Sequence, residues 1–372
     1  MDFNLNDEQQ MLRDGVERFV RENYKFETRR DLLTTPEGFS RDNWQQYADL
    51  GWIGMSFPED AGGLGFSFVE TAIILEQFGR GLVMEPYAVN AVLCGRIIER
   101  SGSKAHRDAL LPAISEGKLL VALAHAEAGS RFDLKAVKAT TAKAAGNSHT
   151  ITGTKTLVLG APTADKLIVS AAVSGGNGGN FALFLVDRKA AGVTLREYRL
   201  IDGSGAADIE FKDAAAEQLV DAKNAYDVLE EATDRATLGA VAEALGAMEQ
   251  VLDITAEYLK TRVQFGQPIG KFQALQHKMA EMFVETQETR SILYRGLASI
   301  DADPKARRAA VSAAKVFVGN AGRFVGGQGI QLHGGIGVTE EYSVGHYYKK
   351  LVTIEKLYGD TDHHLERFIA NQ

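Results

Sequence analysis

The chain has 372 residues, of which 45% are hydrophobic and 24% are charged, so it is long enough for two or three domains with substantial cores. Its net charge of −8, without any lysine-rich block, argues against nucleic-acid binding and against a polybasic membrane patch. The single cysteine, Cys94, excludes an internal disulfide and a cysteine-based zinc site.

The first ten residues, MDFNLNDEQQ, are acidic and polar, which fits neither a secretory signal peptide nor a transit peptide. No run of about 18 apolar residues occurs, so the sequence predicts no membrane span. We therefore expect a soluble cytoplasmic protein.

The first third of the chain has helical patterns. Asn6 followed by Gln9 is a helix-start signature, and Ser40 marks the start of another helix. Residues 66–100 hold two more helices that Pro86 separates. After Asn6 the apolar residues recur on one helical face: Met11, Leu12, Val16, Phe19 and Val20.

Near Leu119 the pattern changes to short runs rich in Val, Ile, Leu and Thr, separated by stretches such as SGGNGGN. The runs are LLVALAHAE, HTITGTKTLVLGA, KLIVSAAV, FALFLVD and GVTLREYRL. With no helical pattern between them, they predict an antiparallel sheet rather than alternating strands and helices. No G-x-G-x-x-G follows a strand, which also argues against a nicotinamide-binding domain.

From about Ala225 the helices return and are long, and we expect further helices over 272–300 and from Pro304 to Val325. The first of them carries an apolar stripe at three-four spacing: Leu238, Val241, Leu245, Met248, Leu252 and Leu259. The sequence thus predicts an α+β protein. A helical domain (1–118) precedes a middle antiparallel β domain of barrel or sandwich type (119–222), and a C-terminal four-helix bundle (223–372) ends the chain.

Two segments of the helical region could carry chemistry. In RVQFGQPIGKFQ (262–273), Arg262 is either a solvated residue of a helix corner or a partner for phosphate, with Gln273 as an amide donor at a helix start. In QLHGGIGVTEEY (331–342), the glycines either end a helix or let a ligand approach the backbone closely.

Together these segments resemble the acyl-CoA dehydrogenase family, whose signatures are R-x-x-F-G-x-x-I-x-x-x-Q and Q-x-x-G-G-x-G-x-x-x-E-Y. The family's P-E-x-x-G-G-L-G is also present, at 58–65, and the order of helical and β regions matches along the whole chain. The resemblance implies a dimer of dimers that binds FAD between the β domain of one subunit and the bundle of its neighbour. It also implies that a carboxylate removes the α-proton of an acyl-CoA while a β-hydride passes to the flavin.

The resemblance also assigns residues to the flavin nucleotide. Arg262 and Phe265 would touch the nucleotide bound by a neighbouring subunit, and Gln273, Gln331 and Gly335 match further residues of that site. No residue is assigned to a metal.

The family's usual base is the glutamate of I-Y-E-G-T, and here that position falls on Tyr358 or Gly359. The surrounding GDTDHH leaves three interpretations open. Asp360 is the residual candidate base, whereas Thr361 or Asp362 is expected to cap the last helix. A metal site is disfavoured because adjacent side chains diverge and no further His/Cys cluster follows. Thr361 also matches the family's threonine and is assigned to the cofactor on that ground.

Glu243 is a second candidate base. Gly239 and Gly246 lie on its helical face, so that face could admit a ligand. The alternative is close helix packing with Glu243 hydrogen-bonded inside the fold.

The β domain departs from the family pattern. The family's T-E-P-G-A-G-S-D corresponds to AHAEAGSR (124–131), in which Gly129 and Ser130 are retained. The resemblance therefore assigns Ser130 to the cofactor. Its W-I-T-N-G becomes LVLGA (157–161), so an indole and a hydroxyl that would contact the flavin ring are replaced by aliphatic groups.

Because the departures cluster at this chain's own flavin and base, the sequence resembles the small subunits of heteromeric acyl-CoA dehydrogenases, of the type that acts on pimeloyl-CoA and shares G-D-T-D-H-H. That likeness implies a large catalytic partner subunit and an electron-transferring flavoprotein as acceptor. A non-catalytic scaffold that completes the partner's FAD site is the alternative function.

Overall fold

The computed structural model describes residues 4–145, 148–173 and 180–372. Most of the predicted separator SGGNGGN and the first three residues of the polar N-terminal segment lie outside the described residues. By its packing the chain divides into two compact units. One comprises Met1–Asp31, Phe68–Val83 and Thr237–Gln372, and the other comprises Leu32–Ser67 and Met84–Ala236.

The helices of the described chain fall before and after the strands. They are α1 (Asp7–Asn23), α2 (Phe26–Thr34), α3 (Arg41–Asp49), α4 (Phe68–Gly81), α5 (Gly95–Glu99), α6 (Lys104–Ser115), α7 (Ala225–Thr261), α8 (Gln273–Ser299), α9 (Pro304–His333), α10 (Ser343–Lys356) and α11 (Thr361–Ala370). A π-helical segment, Ala88–Cys94, leads directly into α5. Among the described residues, no helix combines the length and apolar character needed to cross a membrane.

In the first unit, the helix start predicted at Asn6 is confirmed as a capping box. The Asn6 side chain accepts from the Gln9 N–H at 2.8 Å, and the Gln9 side chain accepts from the Asn6 N–H at 3.1 Å. α1 packs on α4, while α8, α10 and α11 each pack on α9. The stripe predicted on α7 is buried at Leu238, Val241 and Met248, as a bundle helix requires.

The prediction that the third long helix ends near Val325 is wrong, because α9 continues to His333. Three glycines follow Val325 in this helix, and two of them pack closely against other helices. A Cβ on Gly326 would lie 3.2 Å from Leu351, and one on Gly329 would lie 2.6 Å from Val251. Close packing therefore overrides the weak helix propensity of glycine here.

Among the described residues of the second unit, seven strands form one sheet, in which β6 pairs with β7. The strands are β1 (Val121–Ala124), β2 (Thr141–Ala145), β3 (Ser148–Leu159), β4 (Lys166–Val173), β5 (Phe181–Asp187), β6 (Val193–Arg199) and β7 (Gly205–Val220). The antiparallel prediction is confirmed for β2–β3, β3–β7, β4–β5, β5–β7 and β6–β7. However, β4 pairs in parallel with β1 and β2, which the strand patterns did not predict.

The sheet's core is aliphatic and aromatic, with Ile151, Leu167, Phe184, Ile209 and Phe211 almost fully buried. Alternate residues of β7 face this core, which matches the period of two that a half-buried strand requires. The α+β class, with helical N- and C-terminal parts and a sheet between them, is therefore confirmed.

Candidate functional site

The corner between α7 and α8 is a tight hairpin. Two short strands, β8 (Val263–Gln264) and β9 (Gln267–Pro268), are joined by Phe265 and Gly266, whose φ angles are 53° and 77°. Two positive φ angles define the twist-compatible two-residue turn, and a non-glycine residue adopts one at a cost of about 1 kcal/mol. Phe265 is nonetheless 91% exposed, and its ring makes an edge contact with Phe272 at 6.1 Å between ring centroids. The turn therefore holds an aromatic ring away from its own fold.

Arg262 lies at the base of this hairpin and is exposed. Its backbone is fixed, because its N–H donates to Tyr258 O at 2.8 Å and its carbonyl accepts from the Ile269 N–H at 2.9 Å. Within the described part of the chain, no carboxylate pairs with its guanidinium. A positioned and uncompensated arginine is well suited to bind a phosphate.

Gln273 is the first residue of α8, and its side chain is exposed. Phe272 precedes it as the N-cap and provides no side-chain hydrogen bond to the helix end. The open amide groups and the positive end of the helix dipole favour an anion there.

The last turn of α9 is open to solvent at Gln331, and the loop after it is open at Gly334 and Gly335. Gly334 has a φ of 64°, but Gly335 does not, and a Cβ on Gly335 would meet no heavy atom within 4 Å. Neither backbone strain nor internal packing therefore requires glycine at 335. Room for an external group to approach the backbone is consistent with the predicted nucleotide site.

The structure brings the hairpin and this loop together through buried His333. Its ring stacks on Tyr258 at 4.5 Å between centroids, and its Nδ1 lies 2.7 Å from Gly329 O. Burial lowers the pKa of His333, which therefore stacks as a neutral ring. Since Tyr258 also accepts the Arg262 N–H, one connected element carries Arg262, Phe265 and the loop that follows Gln331.

Ser130, the predicted cofactor residue of the β domain, is engaged within its own turn. Its hydroxyl donates to Glu127 O at 2.9 Å and accepts from the Glu127 N–H at 3.1 Å. The Glu127 carboxylate in turn receives the Lys155 ammonium at 2.9 Å, and both side chains are buried. No local sequence pattern indicates this pair, because the two residues are distant in sequence and only the sheet brings them together.

Burial and mutual contact shift the pKa values of Glu127, Lys155 and the neighbouring His125. Burial would raise the pKa of Glu127, but the N–H groups of Ala139 and Lys138 and the Lys155 ammonium lower it to about 2. Burial lowers the pKa of Lys155 to about 8, and burial together with Lys155 lowers the pKa of His125 to about 3. His125 is therefore neutral, and it contacts Ser170 at 2.9 Å.

Leu157, at the position of the family's tryptophan, lies on an irregularity between β3 and β7 and has a φ of 52°. Its side chain is 47% exposed, and its N–H donates to Asp208 at 3.1 Å. The backbone thus presents this side chain outward, but as an aliphatic group that cannot hydrogen-bond.

At the expected base position, the prediction that Thr361 or Asp362 caps the last helix is wrong. Asp360 is the N-cap of α11 and accepts from the His363 N–H at 3.0 Å. That N–H and nearby Lys356, at 3.6 Å, lower the pKa of Asp360. Thr361, assigned to the cofactor by motif match, directs its hydroxyl to Glu355 at 3.2 Å.

The turn before α11 is held from within the fold. The buried Lys315 ammonium donates to Glu355 O at 3.0 Å and also to Gly359 O. His364 contacts Tyr358 O at 3.1 Å. Gly359 has a φ of 122°, and a Cβ there would lie 2.6 Å from His364. A glutamate at 359 would therefore be strained and crowded.

Glu243, the second candidate base, forms an ion pair with Lys350 at 2.8 Å, and both side chains are 14% exposed. The neighbouring glycines are used in packing. A Cβ on Gly239 would lie 2.8 Å from Leu75, and one on Gly246 would overlap the Glu76 carbonyl oxygen. Within the part of the chain that the structure describes, no group of three or more His, Cys, Asp or Glu residues could hold a metal.

Three consecutive segments match known domain families. They are the acyl-CoA dehydrogenase N-terminal domain (residues 6–118), middle domain (122–214) and C-terminal domain (226–371). Acryloyl-CoA reductase (NADH) of Anaerotignum propionicum is 26% identical over 98% of this chain and 94% of its own length. Mitochondrial isovaleryl-CoA dehydrogenase of Pongo abelii is 29% identical over 93% and 84%. A chain of the ChsE4–ChsE5 complex from Mycobacterium tuberculosis is 27% identical with a TM-score of 0.89, covering 100% of this chain and 98% of that one.

Proposed function

The chain belongs to the acyl-CoA dehydrogenase family, and on that premise we propose that it is the small subunit of a heteromeric dehydrogenase that forms a 2,3-enoyl-CoA. Members of the family are FAD-dependent oxidoreductases that act on the CH–CH bond of an acyl-CoA. In this proposal the catalytic partner is a large subunit, and the two chains assemble as a dimer of dimers.

One contrast within the chain carries the proposal. The residues assigned to a neighbour's nucleotide are exposed or open, most clearly Phe265 at 91%. At the chain's own base position, by contrast, Asp360 caps a helix and Gly359 leaves no room for a side chain. The residues assigned to a neighbour's cofactor are thus accessible to it, whereas the chain's own base position holds no carboxylate.

The residues present on the bundle side fit a flavin nucleotide. Arg262 and the uncapped start of α8 at Gln273 would bind its phosphates, while Phe265, Gln331 and Gly335 would contact the remainder. When bound, FAD supplies the acceptor for the hydride that leaves the substrate's β-carbon. On the β-domain side the fit is poorer, because Leu157 and Leu159 offer no hydrogen bonds and Ser130 is engaged with Glu127.

We assign removal of the α-proton to the partner chain. Asp360 has a lowered pKa and already accepts an N–H, and Glu243 is paired with Lys350. Each carboxylate is therefore held by its own fold rather than poised to take a proton from carbon. The ChsE4–ChsE5 complex, which by its name joins two different chains, supports the proposed heteromer.

The substrate class and the electron acceptor are proposed from the family likeness. We assign a medium-length dicarboxylyl-CoA such as pimeloyl-CoA as substrate, and an electron-transferring flavoprotein as acceptor. Turnover of a panel that includes pimeloyl-CoA and octanoyl-CoA tests the substrate. A preference for octanoyl-CoA would contradict the dicarboxylyl assignment.

The visible spectrum of the purified chain tests the subunit proposal. Alone, the chain should contain little flavin and show no bleaching with an acyl-CoA. Co-purified with its large subunit, the complex should be yellow and active. A full complement of flavin on the isolated chain, with bleaching by an acyl-CoA, would instead identify a self-sufficient enzyme.

The alternative function is a scaffold that stabilises a catalytic partner without acting on substrate, supported by the lost tryptophan and the missing base. Asp360→Asn and Glu243→Gln in the assembled complex test whether this chain takes part in the chemistry. Turnover that survives both substitutions is expected from either function, because in both the partner chain removes the α-proton. Loss of turnover with flavin retained would place a catalytic group on this chain.

A further inference from the structure

His333, the last residue of α9, is 3% exposed and lies at the centre of a cluster of three rings. Tyr258, in the last turn of α7, stacks on it with 4.5 Å between ring centroids. Tyr342, the N-cap of α10, lies 5.0 Å from it and 6.4 Å from Tyr258. The His333 ring therefore contacts one ring from the segment before the hairpin and one from the segment after the loop.

A hydrogen bond fixes the orientation of the His333 ring. Its Nδ1 lies 2.7 Å from Gly329 O, and since a carbonyl oxygen only accepts, Nδ1 carries the proton. Burial lowers the pKa of His333, so the ring is neutral at pH 7. The ring can therefore stack in the interior without the cost of a buried charge.

The loop that follows α9 folds back onto His333. Gly337 is buried, and a Cβ there would lie 3.1 Å from His333 Cβ and 2.8 Å from Ile330 O. A Cβ on Gly345, in the first turn of α10, would lie 3.1 Å from Gly337 O. Gly337 thus differs from Gly335, because packing against His333 leaves no space for a side chain at 337.

The segments that meet at His333 carry the residues assigned to the flavin nucleotide. On the α7 side, the Tyr258 carbonyl accepts from the Arg262 N–H at 2.8 Å. On the α9 side, Gln331 lies two residues before His333 and Gly335 lies two residues after it. Binding sites require their contacting groups to be held to within about 0.5 Å. A shift of the His333 ring would displace both sets of groups relative to each other.

We propose that His333 is a positioning residue for flavin binding, whose ring holds the Arg262 hairpin and the loop after Gln331 in the relative placement that one nucleotide requires. This role rests on the proposed nucleotide site. His333 occupies an unspecified position of Q-x-x-G-G, and it acts through Tyr258 and the loop rather than by touching the flavin. Because the ring makes the contacts, the aromatic group should matter more than the Nδ1 proton.

The affinity of the assembled complex for FAD, measured from the fluorescence of released flavin, tests this role. His333→Asn keeps an N–H donor for Gly329 O but removes the ring, and it should weaken flavin binding by about three- to tenfold. His333→Phe keeps the ring but removes the donor, and it should bind flavin about as tightly as wild type. This rescue by the aromatic variant would not be expected if the hydrogen bond were the important contact.

Tyr258→Leu removes the same stack from the α7 side and leaves the carbonyl that holds Arg262. It should weaken flavin binding as His333→Asn does, and it keeps the test valid if His333→Asn does not fold. Circular dichroism of each variant establishes that it is folded.

Val16→Ala separates positioning from a general loss of stability. Val16 is fully buried on α1 in the same unit, so this variant should be less stable but should bind flavin with unchanged affinity. The double variant Arg262→Ala/His333→Asn tests the route. Its loss of affinity should be smaller than the product of the two single losses, because the two residues act through one element.

The outcomes distinguish this role from the nucleotide site itself. If Arg262→Ala weakens flavin binding while His333→Asn and Tyr258→Leu do not, the positioning role is wrong and the nucleotide site stands. If Arg262→Ala also leaves the affinity unchanged, the proposed nucleotide site fails and the role of His333 fails with it. An equal loss with Val16→Ala, or single losses that multiply in full, would likewise overturn the positioning role.

Discussion

Tyr258 stacks on His333 with 4.5 Å between ring centroids and 29° between ring planes. This contact joins the end of α7 to the end of α9. The R-x-x-F-G segment begins at Arg262, directly after α7, and the Q-x-x-G-G segment begins at Gln331, in the last turn of α9. Arg262 is fixed to the same element, because its N–H donates to Tyr258 O. The stack therefore positions the exposed residues of both motifs as one surface, although neither ring belongs to that surface.

Arg262→Ala should reduce the affinity of the assembled complex for flavin by about ten- to a hundredfold. The substitution removes a charge-assisted contact worth roughly 1.5–3 kcal/mol. The helical fold should persist, since Arg262 is exposed. The effect is measured as the fraction of flavin that the complex retains after stepwise dilution. In a heteromer, the flavin that is lost should be the one bound by the partner chain.

Arg262→Lys is the matched control and should restore only part of the affinity, because an ammonium cannot reproduce the guanidinium's paired donors. If Arg262→Ala left the flavin content unchanged, Arg262 would be a solvated corner residue and the motif would have no role in this chain.

The sequence predicted those features that depend on local chemistry. The helix start at Asn6, the corner between α7 and α8 and the buried stripe of α7 follow from residues a few positions apart. The cap of α11 was placed one or two residues late, because aspartate and threonine both cap helices well and only the backbone decides which one precedes the first turn.

Features that depend on distant segments were not predictable. Glu127 and Lys155 meet only because the sheet brings β3 beside the loop after β1. The parallel contacts of β4 have no sequence signature of their own.

Glu127→Gln should lower the free energy of unfolding by about 3–5 kcal/mol, because it leaves the Lys155 ammonium buried without a counter-charge. The amide also cannot accept as well from the N–H groups of Lys138, Ala139 and Thr140, which donate at 2.7 to 3.0 Å. Urea denaturation measures the loss.

A double-mutant cycle with Lys155→Met tests whether the pair is the cause. The double variant Glu127→Gln/Lys155→Met should be more stable than the sum of the single losses predicts, by about 1 kcal/mol or more. If the stability losses of the two single variants simply add, the destabilisation by Glu127→Gln comes from the weakened backbone hydrogen bonds instead.

Lys315 should make stability depend on pH. Burial lowers its pKa from 10.5 to about 7 in the folded chain. Between these values the unfolded chain holds a proton that the folded chain has released, so the free energy of unfolding should rise as pH increases from about 7 towards 10.5. Denaturation of wild type and Lys315→Met at pH 7 and pH 9 measures the difference.

The variant also removes the donor to the carbonyls of Glu355 and Gly359, so it should be destabilised by about 1–3 kcal/mol at pH 9. At pH 7 the difference in free energy of unfolding between wild type and Lys315→Met should be smaller, because a buried ammonium destabilises the wild-type chain at that pH. A difference that is equal at both pH values would show that Lys315 keeps its proton throughout.

Substitutions of Asp360 distinguish a helix cap from a base. Asp360→Asn keeps an oxygen that can accept the His363 N–H, so stability should change by less than about 0.5 kcal/mol, whereas Asp360→Ala should cost about 1 kcal/mol or more. In the assembled complex, both variants should turn over acyl-CoA at close to the wild-type rate once flavin is saturating, because the proton is taken by the partner chain. A large fall in kcat for Asp360→Asn, with unchanged stability and flavin content, would identify Asp360 as the base. The substitution from aspartate to asparagine removes only the charge, so this outcome could not be attributed to loss of the cap.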